Sequence, residues 1–290
     1  MPETTYMQRD PRRDHGFTIP DPLLTKEHGI PNACNRCHSD KDVDWALDAV
    51  EKWYGPRMNR PGRQRARIIA QAREGSGNSR DDLLQLLREE KTPFWKAVAT
   101  ELIHPWSGDP EVSTTILDNL TSTNALLRGT SARALDSLVR RGDTRVDSAM
   151  SKLLDAPVRK VRVDAAWVLR DQVDPQTKAG RDLVRMLEYN VDMPTGALQK
   201  GLYHLDRNEA ELAEIYFRKA IKLDGHSAPL RHEYAIALSM MGRPEEAINA
   251  LQEAIRLDPR EAEYHYKLAL GWNETGNPVS YTHLTLPTKA

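Results

Sequence analysis

The sequence is poor in the residues that build one large interior. Of its 290 residues 39% are hydrophobic, and the aromatics come to 6 Trp, 9 Tyr and 3 Phe. Globular domains usually reach roughly 45–50% apolar residues, and a single domain of this length needs a larger apolar share to close its core. An array of short units, each covering its neighbour's apolar face, needs less. Neither sign of charge is in excess: 41 basic and 42 acidic residues leave a formal net charge of −1. That removes the global reason to expect nucleic acid or an acidic membrane as partner. No run of about 18 apolar residues is present, so no membrane span is expected. No charged–apolar–small leader is visible at Met1.

Cysteine is nearly absent, and both copies fall in one pentapeptide, Cys34-Asn35-Arg36-Cys37-His38. This is C-x-x-C-H, the spacing at which two thiols reach the two vinyl groups of one haem and the next histidine lies beneath the iron. Shuffling this composition produces the pattern about 2 times in 10,000. A zinc site would need two further ligands; His15 and His28 could serve, but there is no second cysteine pair. A thioredoxin-like redox pair needs a preceding strand, and Pro31-Asn32-Ala33 is not one. The expectation is a covalent haem c bound through Cys34 and Cys37, with His38 as the proximal iron ligand. Candidates for the sixth ligand are His15, His28, Met7 and Met58. His15, on the longer tether, ranks ahead of His28, which stands six residues before Cys34.

Met1-Pro2, then Asp14-His15-Gly16-Phe17, then Pro31-Asn32-Ala33 leading into the haem motif resembles a segment of multihaem c-type cytochromes, the cytochrome c nitrite reductase group included. In those proteins one C-x-x-C-H is often followed directly by Met-Pro, then by Asp-His and a further C-x-x-C-H. The resemblance covers residues 1–56 and one visible motif. It implies further haems encoded upstream of Met1, a role for His15 on a neighbouring haem iron, and a periplasmic or otherwise extracytoplasmic location.

Beyond the motif the pattern turns helical. Ser39-Asp40 is expected to cap a helix running to Tyr54, with Val43, Leu47, Val50 and Tyr54 on its apolar face and Gly55-Pro56 as its stop. Trp45 and Trp53 flank that face and could cover a haem edge. Arg57, Arg60, Arg63, Arg65, Arg67 and Arg73 follow with no acid among them. They read as a solvated face or, less favoured, as a docking patch for an acidic redox partner or the haem propionates.

Two repeats follow. Leu120, Arg128, Ala132 and Leu135 recur 34 positions later as Leu154, Arg162, Ala166 and Leu169, with an earlier copy at Ala99 and Leu102. The Ala-rich helix after Pro157-Val158-Arg159-Lys160-Val161-Arg162 resembles HEAT-type repeats. Over 194–278 the same period returns: Gly201, Ala235 and Ala269; Ala213 and Ala247; Phe217 and Leu251; Ala220 and Ala254; Leu223-Asp224 and Leu257-Asp258; Gly242 and Gly276. This resembles tetratricopeptide repeats, with a third copy cut off after its first helix. Val279 through Thr288 resembles an in-frame translation of a sequencing-library adapter, and residues 279–290 are set aside as an artefactual tail.

The expected fold is all-α: a loop-rich haem segment over 1–56, then an α-solenoid of HEAT-like repeats over 57–192 and tetratricopeptide repeats over 193–278. Such repeats bind protein partners along a concave face, where His232, Ile236 and Ser239 are expected. The leading functional expectation is an electron-transfer c-type cytochrome, a piece of a multihaem protein, docked by its repeats onto redox partner proteins. The alternatives are part of a multihaem reductase whose active haem precedes Met1, and a haem-free repeat scaffold.

Overall fold

The computed structural model describes residues 3–6, 10–13, 20–75 and 78–276. His15, Met7 and the tail 279–290 lie outside the described residues. The chain divides into two compact units, Met1–Leu138 and Val139–Ala290. The described part is helical apart from one short antiparallel hairpin, and each unit is built from helices packed on others close in sequence, adjacent ones or those one or two helices further on.

The first unit opens with β1 (Glu3–Tyr6) and β2 (Asp10–Arg13), paired with Glu3 opposite Arg13 and Tyr6 opposite Asp10. The next stretch corrects the loop-rich expectation. Three helices occupy it: α1 (Pro22–His28), α2 (Ala33–Cys37) and α3 (Val43–Tyr54). The first two are of 7 and 5 residues, too short to show an apolar period in sequence. Asp42, not Ser39 or Asp40, caps α3: its carboxylate accepts the Trp45 N–H at 2.8 Å. Ala46 and Val50 carry the buried face of α3, whereas Tyr54 is exposed. A 3-10 turn (Gly55–Met58) then leads to α4 (Pro61–Glu74), α5 (Ser79–Glu89) and α6 (Pro93–Ile103). A second 3-10 turn (His104–Trp106), α7 (Pro110–Asn119) and α8 (Ala125–Ala134) follow. Leu83, Leu87, Ile103, Ile116 and Leu135 are fully buried among these helices.

Helix α9 (Asp136–Arg140) spans the point of division. The second unit continues with α10 (Thr144–Leu153), α11 (Arg159–Val168) and α12 (Lys178–Asn190). It ends in α13 (Pro194–Asp206), α14 (Ala210–Leu223), α15 (Ala228–Met240), α16 (Pro244–Leu257) and α17 (Ala262–Glu274). The pairs α13–α14 and α15–α16 pack along their lengths, and α17 packs on α16. Most helical positions of the 34-residue columns in this region are buried: Gly201, Ala235 and Ala269, Ala213 and Ala247, Phe217 and Leu251, Ala220 and Ala254. The column of Leu223 and Leu257 is the exception, since these residues end their helices with Leu223 exposed and Leu257 half-buried. Gly242 and Gly276 both stand at left-handed φ, 73° and 72°, as the turn between paired helices requires.

Candidate functional site

Helix α2 is a single turn, and its geometry follows from one asparagine. The Asn32 side chain accepts the N–H groups of Cys34 (3.0 Å) and Asn35 (3.1 Å), filling the first orphan donors of the helix. Cys34 and Cys37 then stand three positions apart on that turn, the spacing that brings two side chains to one helical face. Both thiols are free, Cys34 half-buried and Cys37 exposed. His38 closes the turn, its N–H donating to the Cys34 carbonyl at 2.8 Å, and its exposed imidazole lies against the Trp45 ring at 4.9 Å. Two accessible thiols and an adjacent exposed imidazole are the donor set that covalent haem attachment uses. Among the described residues no group of three or more His, Cys, Asp and Glu side chains is arranged to hold a metal ion.

The other candidates are engaged elsewhere. The His28 imidazole is buried, with Nδ1 3.1 Å from Glu74 on α4. Met58 is buried in the interior of the first unit. Trp45 reaches His38 at the end of the α2 turn; Trp53 instead meets Tyr54 edge-on at 6.5 Å, and Arg57 lies over the Tyr54 ring.

The run of arginines is neither a solvated face nor a docking patch over most of its length. Arg63 grips the buried Asp21 carboxylate through two bonds of 2.9 and 2.8 Å, and Arg60 adds a third at 3.3 Å. Arg67 pairs with Glu27 through two bonds of 2.7 and 2.6 Å, and Arg65 pairs with Glu90 at 2.8 Å while stacking on Trp95. These arginines fasten α4 to α1 and to the end of α5. Their acids stand up to 42 positions away, where a local charge count cannot see them.

On the repeats, a groove of about 170 Å³ runs between α15 and α17, lined by Ile236, Ser239, Met240, Lys267, Leu270 and Glu274. Ser239 donates to Glu274 across it at 3.3 Å. Two of the three residues expected on this face are there. His232 is not: its imidazole is largely buried against the Tyr264 ring at 5.0 Å, and that burial pushes its pKa below the usual histidine range.

Sequence reasoning also missed a recurrent contact. Arg128 donates to the Ser122 carbonyl (2.8 Å) and Arg162 to the Ala156 carbonyl (2.7 Å), each six residues back. In the later repeats Arg231 donates to Gly225 (3.2 Å) and His265 to Pro259 (3.0 Å) in the same way. The signal was present as columns 34 apart, but a column does not say which backbone group its side chain reaches.

Comparison with known proteins bears on the second unit. A tetratricopeptide repeat model matches residues 197–226 and a TPR repeat model matches residues 234–270. No curated protein sequence matches the chain. Among solved structures, a mutant of MamA is similar at 20% identity and a TM-score of 0.32, covering 55% of this chain and 94% of its own. The second unit therefore carries tetratricopeptide repeats, formed by α13 to α17.

Proposed function

We propose that the chain is a protein-docking repeat module that carries a covalent haem c at its α2 turn and passes electrons to a protein partner outside the cytoplasm. Tetratricopeptide repeats imply protein partners. The observation that carries the haem part is the pair of free thiols on one helical turn, followed directly by an exposed histidine. Cys34 and Cys37 would hold the group through thioethers and His38 would ligate its iron. When bound, the haem supplies a one-electron ferric–ferrous couple. The surrounding residues anchor the turn, present the thiols and orient the imidazole. His15 remains the proposed partner for a neighbouring haem iron, and further haems upstream belong to the same reading.

The test is expression with a leader and the cytochrome c maturation machinery, followed by a haem stain on a denaturing gel. A stained band at the mass of the chain is expected. Cys37→Ala should lose most of the stain, and His38→Ala should keep it while moving the visible spectrum towards high spin. A blank wild-type lane would overturn the haem reading. The haem-free scaffold would then stand, a reading that rests on the repeat matches at 197–226 and 234–270.

A further inference from the structure

The attachment turn is held by side chains with no part in haem chemistry. Asn35, inside the motif, donates its amide to the carbonyls of Lys41 (3.0 Å) and Asp42 (2.9 Å). Its side-chain carbonyl accepts from the Asn32 amide at 2.9 Å, and that same amide donates to the Thr25 hydroxyl at 2.8 Å. Thr25 in turn donates to the Ile30 carbonyl at 2.6 Å. Three polar side chains thus connect α1, α2 and the start of α3. The loop between α2 and α3 folds back on itself, with the Lys41 N–H donating to the His38 carbonyl at 3.1 Å. Asp42 then caps α3 at Trp45. This path delivers the Trp45 ring to the His38 imidazole, centroids 4.9 Å apart and planes tilted by 53°.

Both rings of the pair are exposed, Trp45 at 38%. An exposed histidine samples several side-chain rotamers, and a ring packed against one of its faces removes part of that freedom in advance. Groups that contact a metal-binding imidazole without touching the metal set its orientation and tune the site.

Resting on the reading of His38 as an iron ligand, we propose that Trp45 is a positioning residue that fixes the plane of the His38 imidazole before haem is attached, with Asn35 locking the loop that delivers it. Trp45 is set by α3, which has its own buried face at Ala46 and Val50, so the platform does not depend on the haem for its place.

Two measurements test this. In the haem-free chain, NMR should show the His38 ring protons displaced by the Trp45 ring current. Trp45→Leu should return them to the position of an exposed histidine, and Asn35→Ala should move them the same way. In the haem-loaded chain, Trp45→Leu should still stain for haem but change the ferric-to-ferrous ratio at fixed potential by about tenfold, which is 59 mV for one electron. Trp45→Phe should restore most of that change, which a merely structural loss would not permit. Unchanged His38 resonances in Trp45→Leu, or a potential equal to wild type, would overturn the proposal. A wild-type chain that takes up no haem would overturn the functional reading instead, and the resonance measurement alone would then decide whether Trp45 fixes the ring.

Discussion

Asp21 stands at the N-cap of α1, yet its carboxylate makes no cap bond; it turns to Arg63 in the first turn of α4 and to Arg60 just before it. A buried carboxylate is tolerated when its charge and lone pairs are met, and here three arginine N–H groups meet them. The pair is costly to assemble from water but far costlier to half-dismantle. Asp21→Asn should therefore destabilise the first unit by about 3 kcal/mol, because it leaves the Arg63 guanidinium, 12% exposed, without its counter-charge. Urea unfolding monitored on the first unit checks this. A loss below about 1 kcal/mol would mean the pair behaves as a surface ion pair. The same residue explains why the sequence alone does not show what the arginine run does. The carboxylate that neutralises Arg63 lies 42 positions away, and only the packing of α1 on α4 brings it close.

At the scale of elements, the repeats were legible because one physical requirement recurs at one spacing. Small residues at 201, 235 and 269 and the bulky pair Phe217 and Leu251 are all buried where antiparallel helices cross. The glycine turns at 242 and 276 need left-handed backbone, which restricts the residue type and makes the period visible. What could not be read were the contacts between repeats. Glu214 on α14 bonds Arg243 at 2.7 Å, at the N-cap of α16, and Arg218 at 2.7 Å on its own helix. Hydrogen bonds from Arg243, then Arg218, hold the Glu214 carboxyl at about 2 against an ordinary 4.5. A carboxyl depressed on folding contributes stability that is complete above its unfolded value and is lost as pH falls towards its folded one. Acid sensitivity of the repeats from this link should thus appear between pH 4.5 and about 2. Glu214→Gln should be less stable than wild type at neutral pH and lose less on acidification, so the two urea midpoints converge towards about pH 2. Parallel pH profiles for the two proteins would refute the link. The Cys34, Cys37 and His38 spacing stands out in the sequence for another reason: the covalent attachment proposed for it would fix residue type and spacing irrespective of the fold. The asparagine lock around it does not, since Asn32 and Asn35 read locally as turn residues.

For the whole molecule, the division at Leu138 and Val139 assigns a separate interior to each unit. The buried clusters of the second unit draw on residues from Leu154 to Trp272, all beyond that division. Residues 139–276 expressed alone should therefore fold, with helical circular dichroism and one cooperative urea transition. Gly201 offers a probe of whether the isolated fragment keeps the native packing. A Cβ built there would lie 2.8 Å from two carbons of the Phe217 ring, so α13 and α14 can cross as they do only with no side chain at 201. The equivalent positions 235 and 269 hold alanine, and the partner column changes from Phe217 to the slimmer Leu251, which is consistent with that limit. Gly201→Ala should cost about 1–3 kcal/mol by overpacking, less the alanine's gain in helix propensity. The decisive comparison is between fragment and full chain. Equal losses in both mean that the α13–α14 crossing is built from the second unit alone. A fragment without a cooperative transition, or one indifferent to Gly201→Ala, would show that this unit needs residues before 139 to reach its native packing.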